Sequence, residues 1–261
     1  MKIYIFADLE GITGVRCRGH VLKDQPEYPE GCGFMAGDVN ACIEGCFLGG
    51  ADEVIIRDGH GSGINLDPAT VDPRARLIQG ATPGVRYAEF EGTDALILLG
   101  YHAMAGTPGA LLEHTYSSKA YQNLWLNGIR AGEVMIDAAI AAEHGVPVIM
   151  VSGDDKTRAE TAKVLPTVPF CQVKSSSGLE QSESLAQEKA HALITAMTAG
   201  AVKRHHEFKP FTVHYPVTLR IEMIERCQRE GLTGVKYPDP TDCRIYEKSA
   251  DNLEKLFYEL L

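Results

Sequence analysis

Carboxylates and imidazoles in this 261-residue chain recur where apolar runs end. Asp8 and Glu10 follow the run Lys2 to Ala7. In extended backbone, positions i and i+2 point the same way, about 6–7 Å apart at Cα. Two carboxylates aimed together repel unless a cation or a shared proton lies between them. Asp58 and His60 repeat the spacing after the run at 53–57, and Gly59, Gly61 and Gly63 let backbone approach a ligand closely there. His102 ends a third run, LILLGYHA. Glu133 opens a helical stretch, where the helix dipole alone would account for a carboxylate. His114 sits in GALLEHTYSS, flanked by Glu113 and Tyr116, a setting that taken alone is more often that of a structural histidine.

Together these are three carboxylates and two or three imidazoles. Mixed oxygen and nitrogen donors suit zinc, manganese or cobalt better than calcium. Asp8, Glu10, His60, His102 and Glu133 exceed the donors of one catalytic zinc with an open position. Two ions sharing a carboxylate, about 3.5–4 Å apart, fit better, and such a pair acidifies water and stabilises an oxyanion. That is the chemistry of amide, ester or phosphoester hydrolysis.

The elements that must position these residues follow from periodicity. Strands are expected at Lys2–Ala7, Glu53–Arg57, Arg76–Gln79, Ala95–Leu99 and Val148–Val151. Helices are expected at Phe34–Leu48, closing on Gly49-Gly50, at Glu133–Glu143, from Asp154 or Asp155 to near Pro166, and at Ser182–Thr198. Residues 11–33 read as a loop, and Asn127-Gly128 as a hairpin turn. Cys42 and Cys46, one helical turn apart among Met35, Val39 and Ile43, read as core-facing. The alternation of strand and helix predicts an α/β fold with a mostly parallel, doubly wound sheet. Ligands of such sheets bind outside the carboxyl ends of the strands, where the polar residues fall. From residue 208 to 223 the pattern alternates in part, and Asn252–Leu261 reads as a helix. The expected division is a catalytic α/β domain over 1–207 and a small α+β C-terminal region over 208–261.

Composition excludes other classes. A net charge of −10 argues against a nucleic-acid partner. Seven cysteines form no paired framework, no run has the roughly 18–20 apolar residues of a membrane span, and the N-terminus lacks the pattern of a signal peptide. A cytoplasmic location is the expectation.

The motifs DLEGITG (8–14), RDGHG (57–61), LLGYHAMAGTPG (98–109), EHTYS (113–117), LNGIRAGE (126–133) and PVIMVSGDD (147–155) occur in an order that resembles the bacterial D-aminopeptidases of the DppA type. The likeness is close over about the first 200 residues and looser beyond. The resemblance implies two zinc ions per subunit, held by Asp8, Glu10, His60, His102 and Glu133, with Asp8 bridging. It implies that His114 is a catalytic histidine beside the metals. It also implies short peptide substrates with a free N-terminus and an N-terminal D-amino acid, and a ring-like homodecamer. The chain departs from the family at VKSSSGLEQSES (173–184), which keeps Lys174 and Gly178 but not the usual Arg. That stretch is expected to shape the substrate pocket.

Three rival readings remain open on the sequence. Asp8-Leu9-Glu10-Gly11-Ile12-Thr13 is similar to the nucleophile motif of haloacid-dehalogenase phosphatases, with Gly153-Asp154-Asp155 as the late acidic motif. In that reading Asp8 attacks phosphorus with magnesium as cofactor, but Glu10 is a methylene too long and His60 and His102 have no task. A non-enzymatic binding protein of the same fold is the second. An aminopeptidase or amidase preferring L-substrates at the same site is the third.

Overall fold

The first strand, β1 (Lys2–Ala7), divides its side chains by the two-residue period of extended backbone. Ile3, Ile5 and Ala7 enter one core, and Tyr4 and Phe6 enter another. A strand buried on both faces must lie inside a sheet covered on both sides. The computed structural model, which describes residues 1–226, 234–239 and 241–261, has that arrangement. After β1 come α1 (Tyr28–Gly49), β2 (Glu53–Asp58), β3 (Arg76–Ile78), β4 (Ala95–Tyr101), β5 (Tyr121–Leu126), β6 (Ile129–Ala131), α2 (Glu133–Glu143) and β7 (Val148–Asp154). They are followed by α3 (Asp155–Val164), β8 (Phe170–Gly178), β9 (Gln181–Ser184), α4 (Gln187–Lys203), β10 (Val217–Met223), β11 (Ile245–Ala250) and α5 (Leu253–Leu260).

The main sheet has the order β3-β2-β1-β4-β7-β8-β9. Every pairing is parallel except that of the edge strand β9 with β8. Residues of α1 and α4 share the core of Ile3 and Ile5, and residues of α2 and α5 share the core of Tyr4 and Phe6. This is a doubly wound, mostly parallel α/β sheet. Strand order reverses between β1 and β4: β2 and β3 lie to one side, β7 and β8 to the other. The chains leaving β1 and β4 therefore diverge, which opens a crevice at their carboxyl ends.

A second sheet, antiparallel, runs β11-β10-β5-β6. It joins strands from both sides of residue 207: Leu219 pairs with Leu126, and Ile221 with Leu124. All four enter the core of Tyr4 and Phe6. The β5–β6 turn has Asn127 at φ 50° and Gly128 at φ 80°, the left-handed pair that matches the twist of a two-residue hairpin.

Some boundaries differ from expectation. Helix α1 starts at Tyr28 rather than Phe34, because Pro29 falls in the first turn, where its missing N–H costs nothing. The helix expected over 182–198 runs from 187 to 203. Residues 181–184 instead form β9, with Ser182 opposite Ser176, so ladder pairing outweighs a weak polar helical pattern. Within 208–223 only Val217–Met223 is strand, and Pro216 before it has no N–H for a ladder. Cys42 and Cys46 are fully buried in the α1–α4 core. No helix among the described residues is long and apolar enough to cross a membrane.

One buried ion pair ties the layers together behind the crevice. Arg86, from the β3–β4 connection, grips Asp137 of α2 through two bonds of 2.8 Å. Tyr101 Oη at the end of β4 donates to the same carboxylate at 2.5 Å. The guanidinium lies 4.3 Å over the Phe6 ring and 5.3 Å from that of Tyr116. Removing one partner of a buried pair leaves the other charge uncompensated. Asp137→Ala is expected to lower stability by about 3–5 kcal/mol in denaturant unfolding; a loss below about 1 kcal/mol would show that the pair is dispensable.

Candidate metal centre

Loop 8–15 leaves β1 at the crevice, and its path is set by backbone bonds on both sides. Asp8 N–H donates to Leu99 O, and Gly11 N–H to Gly100 O, each at 2.8 Å. A Cβ on Gly11 would stand 2.0 Å from Tyr101 O, so only glycine lets the loop lie against β4. Below it, Lys174 of β8 donates to the carbonyls of Glu10 (2.6 Å), Ile12 (2.8 Å) and Val15 (2.9 Å). Burial pushes the Lys174 amine down to about 7, against the pull of the nearby carboxylates of Asp154 and Asp38. Three donations at once require the ammonium, since a neutral amine has two N–H groups. The stretch expected to shape the substrate pocket lines the cleft at Leu179, while its Lys174 acts from beneath, fixing the loop that presents Glu10.

The other donors reach the crevice from neighbouring elements. His60 follows β2, where Gly59 N–H donates to Ala7 O and the Asn65 amide donates to His60 O. His60 Nε2 meets Val21 O at 2.8 Å, which assigns the N–H to Nε2 and leaves Nδ1 facing the carboxylates. His102 follows β4, with Nδ1 3.1 Å from Ala103 O and Nε2 turned inward. Glu133 opens α2, and its Oε1 accepts the Tyr116 N–H at 2.7 Å. His114 stacks on His102 with centroids 4.0 Å apart, and its Nδ1 lies 2.9 Å from Leu112 O, leaving Nε2 free. Leu112 and Tyr116, on either side of His114, hold φ 49° and 59°, a strained region for such side chains.

The structure brings six of the residues singled out in the sequence to one place. Among the described residues, two donor groups form, Asp8/Glu10/His60 and His102/His114/Glu133, each with donor atoms within 4.8 Å of one another. Asp8 joins them. Its Oδ1 lies 3.2 Å from His60 Nδ1, and its Oδ2 lies 3.4 Å from His102 Nε2. His60 Nδ1 is also 3.0 Å from Glu10 Oε2, and His102 Nε2 is 3.2 Å from Glu133 Oε1. Asp8 Oδ2 and Glu10 Oε2 are nevertheless buried without a partner of hydrogen-bond geometry. Donor atoms that converge on shared points rather than on one another fit cations held between them.

Electrostatics give the same picture. Burial, then the charge of Glu10, raises the Asp8 carboxyl. Burial opposes ionisation of Glu10 too, but His60 holds it well below the usual carboxylate range. Glu133 is drawn down to about 2, because His102 outweighs its burial. Burial alone would keep His60 and His102 neutral; the carboxylates of Glu10 and Asp8 at one, and of Glu133 and Asp8 at the other, hold both well above the ordinary imidazole value. Protons and metal cations are alternatives for balancing the same carboxylates.

Other acids have different tasks. Asp58 accepts from Asn65 and Leu66 and braces the loop after His60. Asp154 caps α3 through Lys156 N–H and Thr157 N–H and takes the Ser176 hydroxyl. It therefore does not serve as the late acid of a phosphatase site. Sequence reasoning missed Glu160 of α3, whose carboxylate accepts the Met104 N–H beside His102 and which burial pushes up to about 7. A lone acid on a polar helix carries no signal of burial.

An open parallel sheet with a carboxylate–imidazole centre at its switch point defines a metal-dependent hydrolase architecture. The family model Peptidase_M55, described as D-aminopeptidase, matches residues 1–258, and the chain belongs to that family. A D-aminopeptidase of Bacillus subtilis (strain 168) is 32% identical over 234 residues, 88% of this chain and 84% of the relative. The solved structure of the Zn-dependent D-aminopeptidase DppA from Bacillus subtilis, described as a self-compartmentalizing protease, superposes with a TM-score of 0.91 at 28% identity. The match covers 100% of this chain and 95% of that one.

Two outcomes follow from the geometry. Because His60 and His102 must shed protons that the carboxylates stabilise before they can ligate, zinc affinity should rise as pH rises above the ordinary imidazole range. Competition titrations at several pH values check this, and a flat profile contradicts it. Lys174→Met should weaken zinc binding about 10–100-fold by releasing the Glu10 loop, read by the same titration, with circular dichroism confirming the fold.

Proposed function

We propose that this protein is an aminopeptidase that removes N-terminal D-amino acids from short peptides, using two zinc ions per subunit. The observation that carries the reading is Asp8, whose two oxygens face imidazoles of different donor groups at 3.2 and 3.4 Å. Asp8, Glu10 and His60 would hold one ion, and Asp8, His102 and Glu133 the other. Zinc bound there supplies an acidified water and a Lewis acid for the substrate carbonyl.

The chain's own groups do the rest. His114 Nδ1 is committed to Leu112 O, so Nε2 enters the reaction as a base. It takes a proton at that atom and then, as imidazolium, either returns it to the leaving amine or hydrogen-bonds the tetrahedral oxyanion. Stacking on His102 and the strained backbone at Leu112 and Tyr116 hold its ring in place. The relative described as self-compartmentalizing supports assembly of this chain into a ring-like homodecamer, and the lack of a membrane-spanning helix among the described residues is compatible with a cytoplasmic protein.

The test combines metal analysis with a panel of D- and L-aminoacyl peptides. The expected result is two zinc per subunit and hydrolysis confined to D-residues at the N-terminus; equal turnover of L-peptides sinks the stereochemical part. Asp8→Ala should lose zinc and activity together. His114→Ala should keep both ions and slow turnover by about 10²-fold or more; a stoichiometry reduced to one would make His114 a ligand instead.

A further inference from the structure

We propose that the mouth of the metal cleft is a subsite for the C-terminal carboxylate of a short peptide, formed by Arg18, Lys23 and Lys119. The proposal rests on the peptidase reading and narrows its substrate class to peptides recognised at both ends. The cleft has a volume of about 430 Å³, and its lining includes Glu10, His60 and His114 as well as these three cations. Glu10 is buried, whereas Arg18, Lys23 and Lys119 are exposed, so the acidic end is the floor and the basic end is the mouth. The cations come from two separate connections, Arg18 and Lys23 from β1–α1 and Lys119 from β4–β5.

Their charges are available. Among the described residues none of the three takes part in a side-chain ion pair. Glu180 binds Arg18 through the backbone N–H and not through the guanidinium. Glu113, the one carboxylate lining the cleft besides Glu10, accepts the Gly106 N–H and forms no ion pair with any of the three. In a chain of net charge −10, three unneutralised cations on one cleft make a local positive field that attracts anions. A short peptide is a dipole with an ammonium at one end and a carboxylate at the other. Its carboxylate is drawn to the cations of the mouth, which leaves its amino end to reach the metals, where zinc offsets the charge of the floor carboxylates. That direction brings the first peptide bond to the metals.

The test measures binding without turnover. The probe is an analogue of D-alanyl-D-alanine with its scissile amide reduced to a methylene-amine, compared by calorimetry with its C-terminal carboxamide on the zinc-loaded protein. The acid should bind about tenfold tighter or more. That advantage should shrink in Arg18→Gln, Lys23→Gln and Lys119→Gln, most of all when combined, and with added salt. Equal binding of acid and amide, no binding of either, or an advantage kept in the combined variant overturns the subsite. Hydrolysis of the parent dipeptide judges the other reading separately: an acid bound selectively but not cleaved supports the subsite and removes the peptidase assignment.

Discussion

Three carboxylates are buried within a few ångströms of one another at one edge of a sheet, and no arrangement of them alone is stable. Each must be matched by positive charge or lose its own, because desolvation in a protein interior penalises uncompensated ions by several kcal/mol. His60 and His102 answer that demand from two different strands, and Asp8 stands between them. The backbone around the cluster follows from the same constraint. Gly11 and Lys174 press the first loop into place, the Tyr116 N–H orients Glu133, and backbone carbonyls set the tautomers of the imidazoles.

The position of this cluster is a matter of topology. At the boundary between β1 and β4 the connections part company, so two strand ends lie side by side without a crossing chain above them. The second sheet and α5 close the opposite face, and Arg86 with Asp137 ties the wall behind Tyr116 to α2. Helix α2 therefore presents Glu133 at its first residue and anchors itself with Asp137 one turn later. The ion pair that holds the layers together and the carboxylate that faces the centre belong to one rigid element.

Charge also organises the cleft along its length. A buried floor that carries the carboxylate–imidazole centre and an exposed mouth that carries three cations give it a direction. Orientation by opposite charges costs little conformational entropy in the protein, since the floor is already immobilised by hydrogen bonds.

The sequence alone determined what depends on local pattern. Buried strands announced themselves by continuous apolar runs, Asn127-Gly128 by the left-handed conformations that few other residues adopt, and Asp154 by the side chain that caps α3. Asp8, Glu10, His60 and His102 stood out because polar residues at the ends of parallel strands have few structural duties, whereas Glu133 at a helix start and His114 in a loop gained their meaning from the company of the other motifs. Tertiary structure decided the rest. Ser182 could pair with Ser176 only once β8 existed, and β10 found its place beside β5, nearly a hundred residues earlier in the chain. Lys174 reads as an ordinary surface lysine until three carbonyls surround it, and Arg18, Lys23 and Lys119 become a group only when two loops meet across a cleft. Local conformation is governed by neighbours in sequence, whereas burial, charge pairing and strand register are energies between distant segments and exist only after the chain has closed on itself.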